Sequence, residues 1–308
     1  MATRPGMTVR HWFEYVPAWF VVKTLGHLPR SWALAVGEGM GLLAYYLRGR
    51  WRKVGHRNLT LVFPTLTPRE RRSLLKRSFR NLGRLLGEFS QFPRLTHETI
   101  RALVAYEGLE HYERARAQGR GVLILTAHFG AWELSAFAHA LYGYPMAVLV
   151  RPLDNPRLDR FIETYRTLSG NRLIPKREAA RHILRALRKG ETIGILMDTN
   201  TQPHEGLFCD FFGQPACTSP LIARLALRTG APVIPGFLIW DERRRMHILH
   251  FDPPVPLIRT GDRERDAQLN TEHFNRILES FIRRYPDHWL WIHKRWHTRP
   301  PGEPPFYD

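Results

Sequence analysis

From residue 121 onward the chain repeats one pattern. Short apolar runs rich in Val, Ile and Leu occur at 121–127 ("GVLILTA"), 146–150 ("MAVLV") and 192–197 ("TIGILM"). Runs of this length without polar alternation suit strands buried on both faces. Helical patterns separate them at 131–142, 156–169 and 177–190, the last ending on a glycine stop. Parallel strands need crossovers, and a crossover helix packs back onto the sheet. The pattern therefore predicts an α/β fold with a mainly parallel central sheet flanked by helices. Ser219-Pro220 opens a further helix that stops at Gly230. "APVIPGFLIW" (231–240) and "MHILHF" (246–251) read as an antiparallel hairpin at the sheet edge, followed by a long helix at 264–284. No internal repeat, low-complexity linker or sharp domain break interrupts the chain.

The first fifty residues differ in kind. "HWFEYVPAWFVV" (11–22) and "WALAVGEGMGLLAYYL" (32–47) are apolar and aromatic, bounded by Arg10, Arg30 and Arg48. The second run, sixteen residues, spans ~24 Å as a helix. A bilayer core is ~30 Å thick and calls for ~20 residues. Glu38 and glycines 37, 39 and 41 weaken a spanning assignment further. The rings of Trp12, Trp19, Trp32, Tyr45, Tyr46 and Trp51 suit the headgroup layer. These features predict a membrane-anchoring helical segment over 1–55, lying at the interface, ahead of an α/β domain over 56–308. The alternative is a buried helical pair capping a soluble domain. No small-residue cleavage site follows a compact apolar run, so a signal peptide is not expected.

Charge narrows the partners. The formal net charge is +18, and between Arg48 and Arg84 twelve Lys and Arg residues stand against Glu70 alone. Anionic membrane and nucleic acid both suit such a belt, but no nucleic-acid recognition module is visible and the belt adjoins aromatic anchors. Within it, "TPRERRSLLKRSFRNLGRLLGEF" (67–89) reads as a helix with Thr67 as N-cap, Pro68 at the first position and Glu70 completing a capping box. Leu75, Phe79, Leu82, Leu86 and Phe89 mark its inner face, so its arginines face either solvent or anionic groups. Two cysteines, Cys209 and Cys217, are too few to staple the chain or hold zinc, and no metal or cofactor is implied.

The stretch "LTAHFGAWELS" (125–135) carries the chemistry. His128 follows a strand, Gly130 allows a tight turn, and Glu133 enters the next helix. On one continuous helix, five positions would set the two side chains ~140° apart. Across a strand-to-helix turn they can meet at the carboxyl edge of the sheet, where α/β proteins bind ligands. An imidazole oriented by a carboxylate is a general base. With no protein nucleophile beside it, the attacking hydroxyl belongs to a substrate.

Further motifs follow in order: "RNLTLVFP" (57–64), "HFGAWE" (128–133), "RPLDNPRLD" (151–159), "MDTNTQPHEGLFCDFFGQPACT" (197–218), "APVIPGF" (231–237) and "HWLWIHKRWHTRP" (288–300). Together, across residues 10–300, they resemble the bacterial lipid A biosynthesis acyltransferases, a branch of the lysophospholipid acyltransferases with a His-x4-Asp/Glu motif. The resemblance implies a glycerolipid-acyltransferase-like fold. It implies His128 as general base, Glu133 as its orienting carboxylate, and acyl transfer from acyl carrier protein to a hydroxyl of a lipid A precursor. It places the enzyme at the cytoplasmic face of the inner membrane, with an anionic glycolipid or phospholipid as acceptor; lysophospholipids and phosphatidylinositol mannosides are alternatives, and coenzyme A is an alternative donor. By the same likeness Arg151 contacts substrate phosphate or the donor, unless it pairs with Asp154 or Asp159. Asp198 orients substrate, forms a second partner for His128, or caps a loop. Glu205 matches an acceptor-binding Glu-Gly pair. Phe208, Phe211 and Phe212 line an acyl tunnel or belong to the core, and the C-terminal tract is a packed strand or a membrane-facing rim.

Overall fold

The computed structural model describes residues 8–176 and 179–307. Four helices come first: α1 (Val9–His27), α2 (Arg30–Leu47), α3 (Gly49–Val62) and α4 (Pro68–Ser90). Strand β1 (Val104–Glu107) and α5 (Leu109–Arg116) lead into the alternating region: β2 (Val122–Thr126), α6 (Trp132–Leu141), β3 (Met146–Val150), α7 (Pro156–Thr167), β4 (Arg172–Pro175), α8 (Ala179–Arg188) and β5 (Thr192–Leu196). The hairpin β6 (Leu207–Phe211) and β7 (Gln214–Thr218) precedes α9 (Leu221–Thr229), β8 (Val233–Asp241), β9 (Met246–Phe251) and α10 (Arg263–Arg284). The first two residues of the helix expected over 177–190 lie outside the described residues, as do residues 1–7 of the N-terminal segment.

The main sheet has the order β1-β9-β8-β2-β5-β3-β4. Its five strands from β8 to β4 are parallel, as the buried apolar runs predict, and β9 is antiparallel to β8. The β8–β9 hairpin is not the sheet edge: β1 pairs in parallel outside β9, from Val104 opposite His247 to Glu107 opposite His250. Four residues reading "VAYE" hold too little apolar pattern to announce a strand. Side chains alternate across the sheet. Leu123, Leu125, Ile193 and Ile195 face the core under α8, α9 and α10, whereas Val122, Ile124 and Ile234 face the one under α5, α6 and α7.

Helix α4 has the expected cap: Glu70 N–H donates to Thr67 Oγ1, and Glu70 Oε2 accepts from Thr67 N–H at 2.7 Å. Glycines set how α2 crosses it. A Cβ on Gly37 would sit 2.3 Å from Gly83 O, one on Gly83 2.0 Å from Gly37 O, and one on Gly41 2.1 Å from Phe79 O. The backbones touch at positions where no side chain fits. Glu38, beside this seam, accepts from Arg80 and from the buried Arg84. Part of the arginine face of α4 is thus neutralised internally, while Arg69, Arg72 and Arg77 stay exposed. The boundary expected at residue 55 falls inside α3. No helix among the described residues is long and apolar enough to cross a membrane.

Candidate active site

His128 stands two residues beyond β2, at the carboxyl edge of the parallel strands. The turn after it requires glycine: Gly130 has φ 58°, and a Cβ there would lie 1.9 Å from Leu238 O. Gly130 N–H donates to His288 O at 2.8 Å, and Leu290 N–H donates to His128 O at 3.1 Å. Phe129 and Trp289 form an antiparallel bridge between these bonds. The C-terminal tract therefore clamps the backbone of the histidine from outside the sheet.

Asp198 projects from the end of the neighbouring strand β5. Its Oδ1 lies 2.9 Å from His128 Nδ1, and its Oδ2 accepts from the His128 backbone N–H at 3.1 Å and from the Trp289 indole N–H at 2.9 Å. Burial pushes this carboxyl upward, but the charge and hydrogen bonds of His128, with the Trp289 bond, outweigh that and hold it at about 2. An ionised carboxylate only accepts, so Nδ1 carries the hydrogen, and in the neutral ring Nε2 keeps a lone pair. For His128, burial is the largest influence and acts downward. The charge and hydrogen bond of Asp198 and the charge of Glu133 exceed it, and the imidazole ends above its ordinary 6.5.

Glu133 occupies the first turn of α6 and is bonded to neither histidine nitrogen. Arg166, on the last turn of α7, grips it through both carboxylate oxygens: Nε to Oε2 at 2.8 Å and Nη2 to Oε1 at 2.5 Å. Burial alone would lower the Arg166 guanidinium, yet the bonded carboxylate raises it and keeps it charged. The paired geometry fixes both side chains in one plane.

A cavity of about 900 Å³ opens in front of these groups. Its walls wrap the end of β3, because Val148 and Leu149, which point to opposite faces, both line it. On the α6–α7 side an apolar slot runs between Ala136, Phe137, Val148, Ile162 and Leu173 down to Asn171. Asn171 accepts from Met146 N–H at 3.0 Å and donates to Ala136 O at 2.8 Å, so the floor of the slot is internally satisfied. On the other side the lining is Ile195, Ala179, Leu221 and Ile222, with Lys176, Thr201 and Glu205.

The sequence profile of the bacterial lipid A biosynthesis acyltransferases matches residues 7–298. The chain belongs to this family. It is an acyltransferase, and its similarity to the relatives named next spans nearly their whole length. It is 29% identical to the lipid A biosynthesis lauroyltransferase of Escherichia coli, covering 97% of this chain and 95% of that one. It is 28% identical to the palmitoleoyltransferase of the same organism over 96% and 94% of the two chains, and 28% identical to its myristoyltransferase over 94% of each.

In this lipid A acyltransferase family member, all five expected site residues line the cavity or bond to a residue that does. His128, Glu133, Arg151 and Glu205 line it, and Asp198 stands behind His128. The pairing differs from expectation. The carboxylate on Nδ1 is Asp198, since two adjacent strand ends bring it within bonding distance, whereas α7 supplies Glu133 with its own cation. Arg151 is 80% exposed at the rim, only 3.9 Å from Asp154. Glu205 accepts from Lys176 at 2.5 Å and from Thr201 at 3.3 Å. Phe211 and Phe212 are buried against Trp289 rather than lining the cavity. Trp289, Trp291 and Trp296 are likewise buried, so the C-terminal tract is packed inside, though as turns tied to Phe129 by one bridge rather than as the expected strand. His293, held neutral by burial at about 4, accepts from Asn200 N–H at 2.9 Å and joins the lining. Sequence spacing missed Arg166 and Trp289, whose partners lie 33 and 91 positions away.

Proposed function

We propose that this protein transfers a fatty acyl chain from acyl carrier protein to a hydroxyl of a lipid A precursor at the cytoplasmic face of the inner membrane. One observation carries the reading: a histidine pinned by a buried carboxylate faces a cavity of about 900 Å³ with an apolar wall between α6, α7 and β3. The acceptor hydroxyl gives its proton to His128 Nε2 as its oxygen attacks the thioester carbonyl. A C–O bond forms, the tetrahedral oxyanion collapses, the C–S bond breaks, and the imidazolium returns the proton to the departing thiolate. Asp198 keeps the ring aligned, and with Glu133 balances its transient charge. Arg166 is a positioning residue that fixes Glu133. The cysteines suit no nucleophilic role: burial raises both thiols, Cys209 to about 12, which leaves them protonated near neutral pH.

The slot along β3 seats an acyl chain, and Arg151, Lys176 and Glu205 at the rim meet the polar part of a substrate. A net charge of +18 favours anionic partners, a phosphopantetheine-bearing carrier and a phosphorylated lipid alike. The test supplies purified protein with labelled acyl-acyl carrier protein and a tetra-acylated, Kdo-bearing lipid A precursor. A product heavier by one acyl group is expected. Transfer only to lysophospholipid, or only from acyl coenzyme A, would overturn the acceptor or donor while leaving the chemistry; no transfer to any hydroxyl would overturn the whole reading.

A further inference from the structure

The outward face of α1 is apolar, the reverse of an ordinary surface helix. Val9, Phe13, Val16 and Phe20 recur at three- and four-residue intervals and all are exposed, Phe13 at 76%. Trp12 and Trp19 flank them, and Trp32, Val36, Leu43 and Leu47 extend an exposed apolar row along α2. Contiguous exposed apolar surface marks an interaction site. Its composition identifies the occupant. The aromatic rings suit a headgroup layer, and exposed Arg48 ahead of the adjoining α3, with Arg50, Lys53 and Arg57 on it, suits anionic lipid. Helices too short and polar to cross a bilayer can still lie in its surface.

The same face is joined to the rim of the cavity. Asn155 caps α7 and also donates to His11 O at 2.9 Å and Glu14 Oε2 at 3.0 Å on α1. The Arg157 guanidinium lies 3.6 Å from the centroid of the Trp12 ring, and Tyr15 meets Phe161 edge-on. Between β3 and this clamp runs the rim, Arg151–Asp154, in which Leu153 lines the cavity and remains 44% exposed. We propose that Leu153 forms a lateral portal by which the acceptor's chain slides into the cavity from an anionic bilayer, in whose surface the apolar faces of α1 and α2 lie as the sequence leads one to expect. The portal rests on the reading that the cavity acylates a membrane lipid; the docking face does not.

Both native thiols are fully buried, so a Leu153→Cys variant of the full-length protein takes an environment-sensitive fluorophore at that position alone. Phosphatidylcholine vesicles containing phosphatidylglycerol should shift its emission to the blue, and pure phosphatidylcholine vesicles should do so far less. Adding Phe13→Ser with Phe20→Ser should weaken vesicle binding about tenfold or more and remove the shift. Without the label, that double variant should lose transfer to acceptor presented in vesicles while keeping transfer to acceptor in detergent micelles. A silent fluorophore on bound vesicles would overturn the portal. Unchanged vesicle binding by the double variant would overturn the docking face, and a dimer that buries Phe13 in solution would replace lipid as its occupant. An inactive wild type whose fluorophore still responds would overturn the acylation reading while supporting the membrane face.

Discussion

His128 with Asp198 and His247 with Glu88 are built from the same two chemical groups at nearly the same separation, 2.9 and 2.8 Å. Their surroundings send them opposite ways. His247 is sealed at the junction of α2, α4 and β9, where Glu88 also accepts from Arg30 Nε at 3.0 Å. Burial lowers this imidazole, the charges of Arg30 and Arg84 add to the effect, and the pull of Glu88 does not recover it. Around His128 the balance of charge reverses, with Asp198 and Glu133 against Arg166. The second difference is access: the His128 side chain is 26% exposed and lines the cavity, while that of His247 is 1% exposed and its Nδ1 has no hydrogen-bond partner. A buried histidine–carboxylate pair is therefore no signature of catalysis. An excess of carboxylate around the ring, together with one nitrogen facing open space, separates the site from the structural pair.

Removing each histidine should split activity from stability. His128→Gln is expected to lower kcat/KM about 10²–10⁴-fold, the range of general acid–base catalysis, with little change in melting temperature. His247→Gln should leave kcat per folded molecule near wild type. The matching carboxylate test is Glu88→Gln, which strands Arg30 in a mostly buried position. It should cost about 3–5 kcal/mol in denaturant unfolding, toward the lower end because Arg30 keeps some solvent, again with activity retained in the folded fraction. Loss of stability for His128→Gln equal to that for His247→Gln would erase the distinction between the pairs.

Asp198→Asn sharpens the comparison from the other side. It keeps the size of the group that Trp289 and the His128 backbone contact while removing the charge. Ring orientation becomes ambiguous, because an amide can donate as well as accept. A fall in kcat of about 10²-fold is expected, and the acidic limb of the pH–rate profile should move to lower pH. A structural role alone would lower stability without moving that limb.

Much of this was legible in the sequence because it is local. The buried runs at 121–127, 146–150 and 192–197 needed only strand length and composition, and a histidine just past a strand needed only the rule that α/β ligands sit at strand ends. Asp198 was legible for the same reason, with His128 among its possible partners; spacing could not decide between the alternatives, because the choice rests on sheet order, which sets β5 beside β2 across 70 positions. The Glu133–Arg166 pair is invisible to spacing, since α6 and α7 meet only once the sheet has formed. Glycines 37, 41, 83 and 87 illustrate a different failure. Read one helix at a time, those of α2 only weaken a membrane span, while their physical reason, the backbone contact with α4, exists solely between helices.

The smallest expected effect is the linkage of stability to pH, where the sign decides. His128 has a folded value above its ordinary 6.5, so its contribution to stability is complete below that pH and is lost as pH rises through the folded value. His247 has a depressed folded value, so its contribution is present above 6.5 and lost as pH falls through the folded value. Unfolding free energies measured across this range should therefore diverge. The stability gap between wild type and His128→Gln narrows as pH rises above 6.5, and the gap between wild type and His247→Gln widens as pH rises toward 6.5 from below. With His128 as the proposed base, the same asymmetry should govern turnover. Only neutral His128 accepts a proton, so wild-type kcat/KM should reach half its plateau above pH 6.5. Glu133→Gln, which removes one of the two carboxylates raising the ring, should draw that midpoint down by less than Asp198→Asn does. Equal displacement by the two substitutions would mean that charge alone sets the ring, with no added contribution from the Nδ1 hydrogen bond.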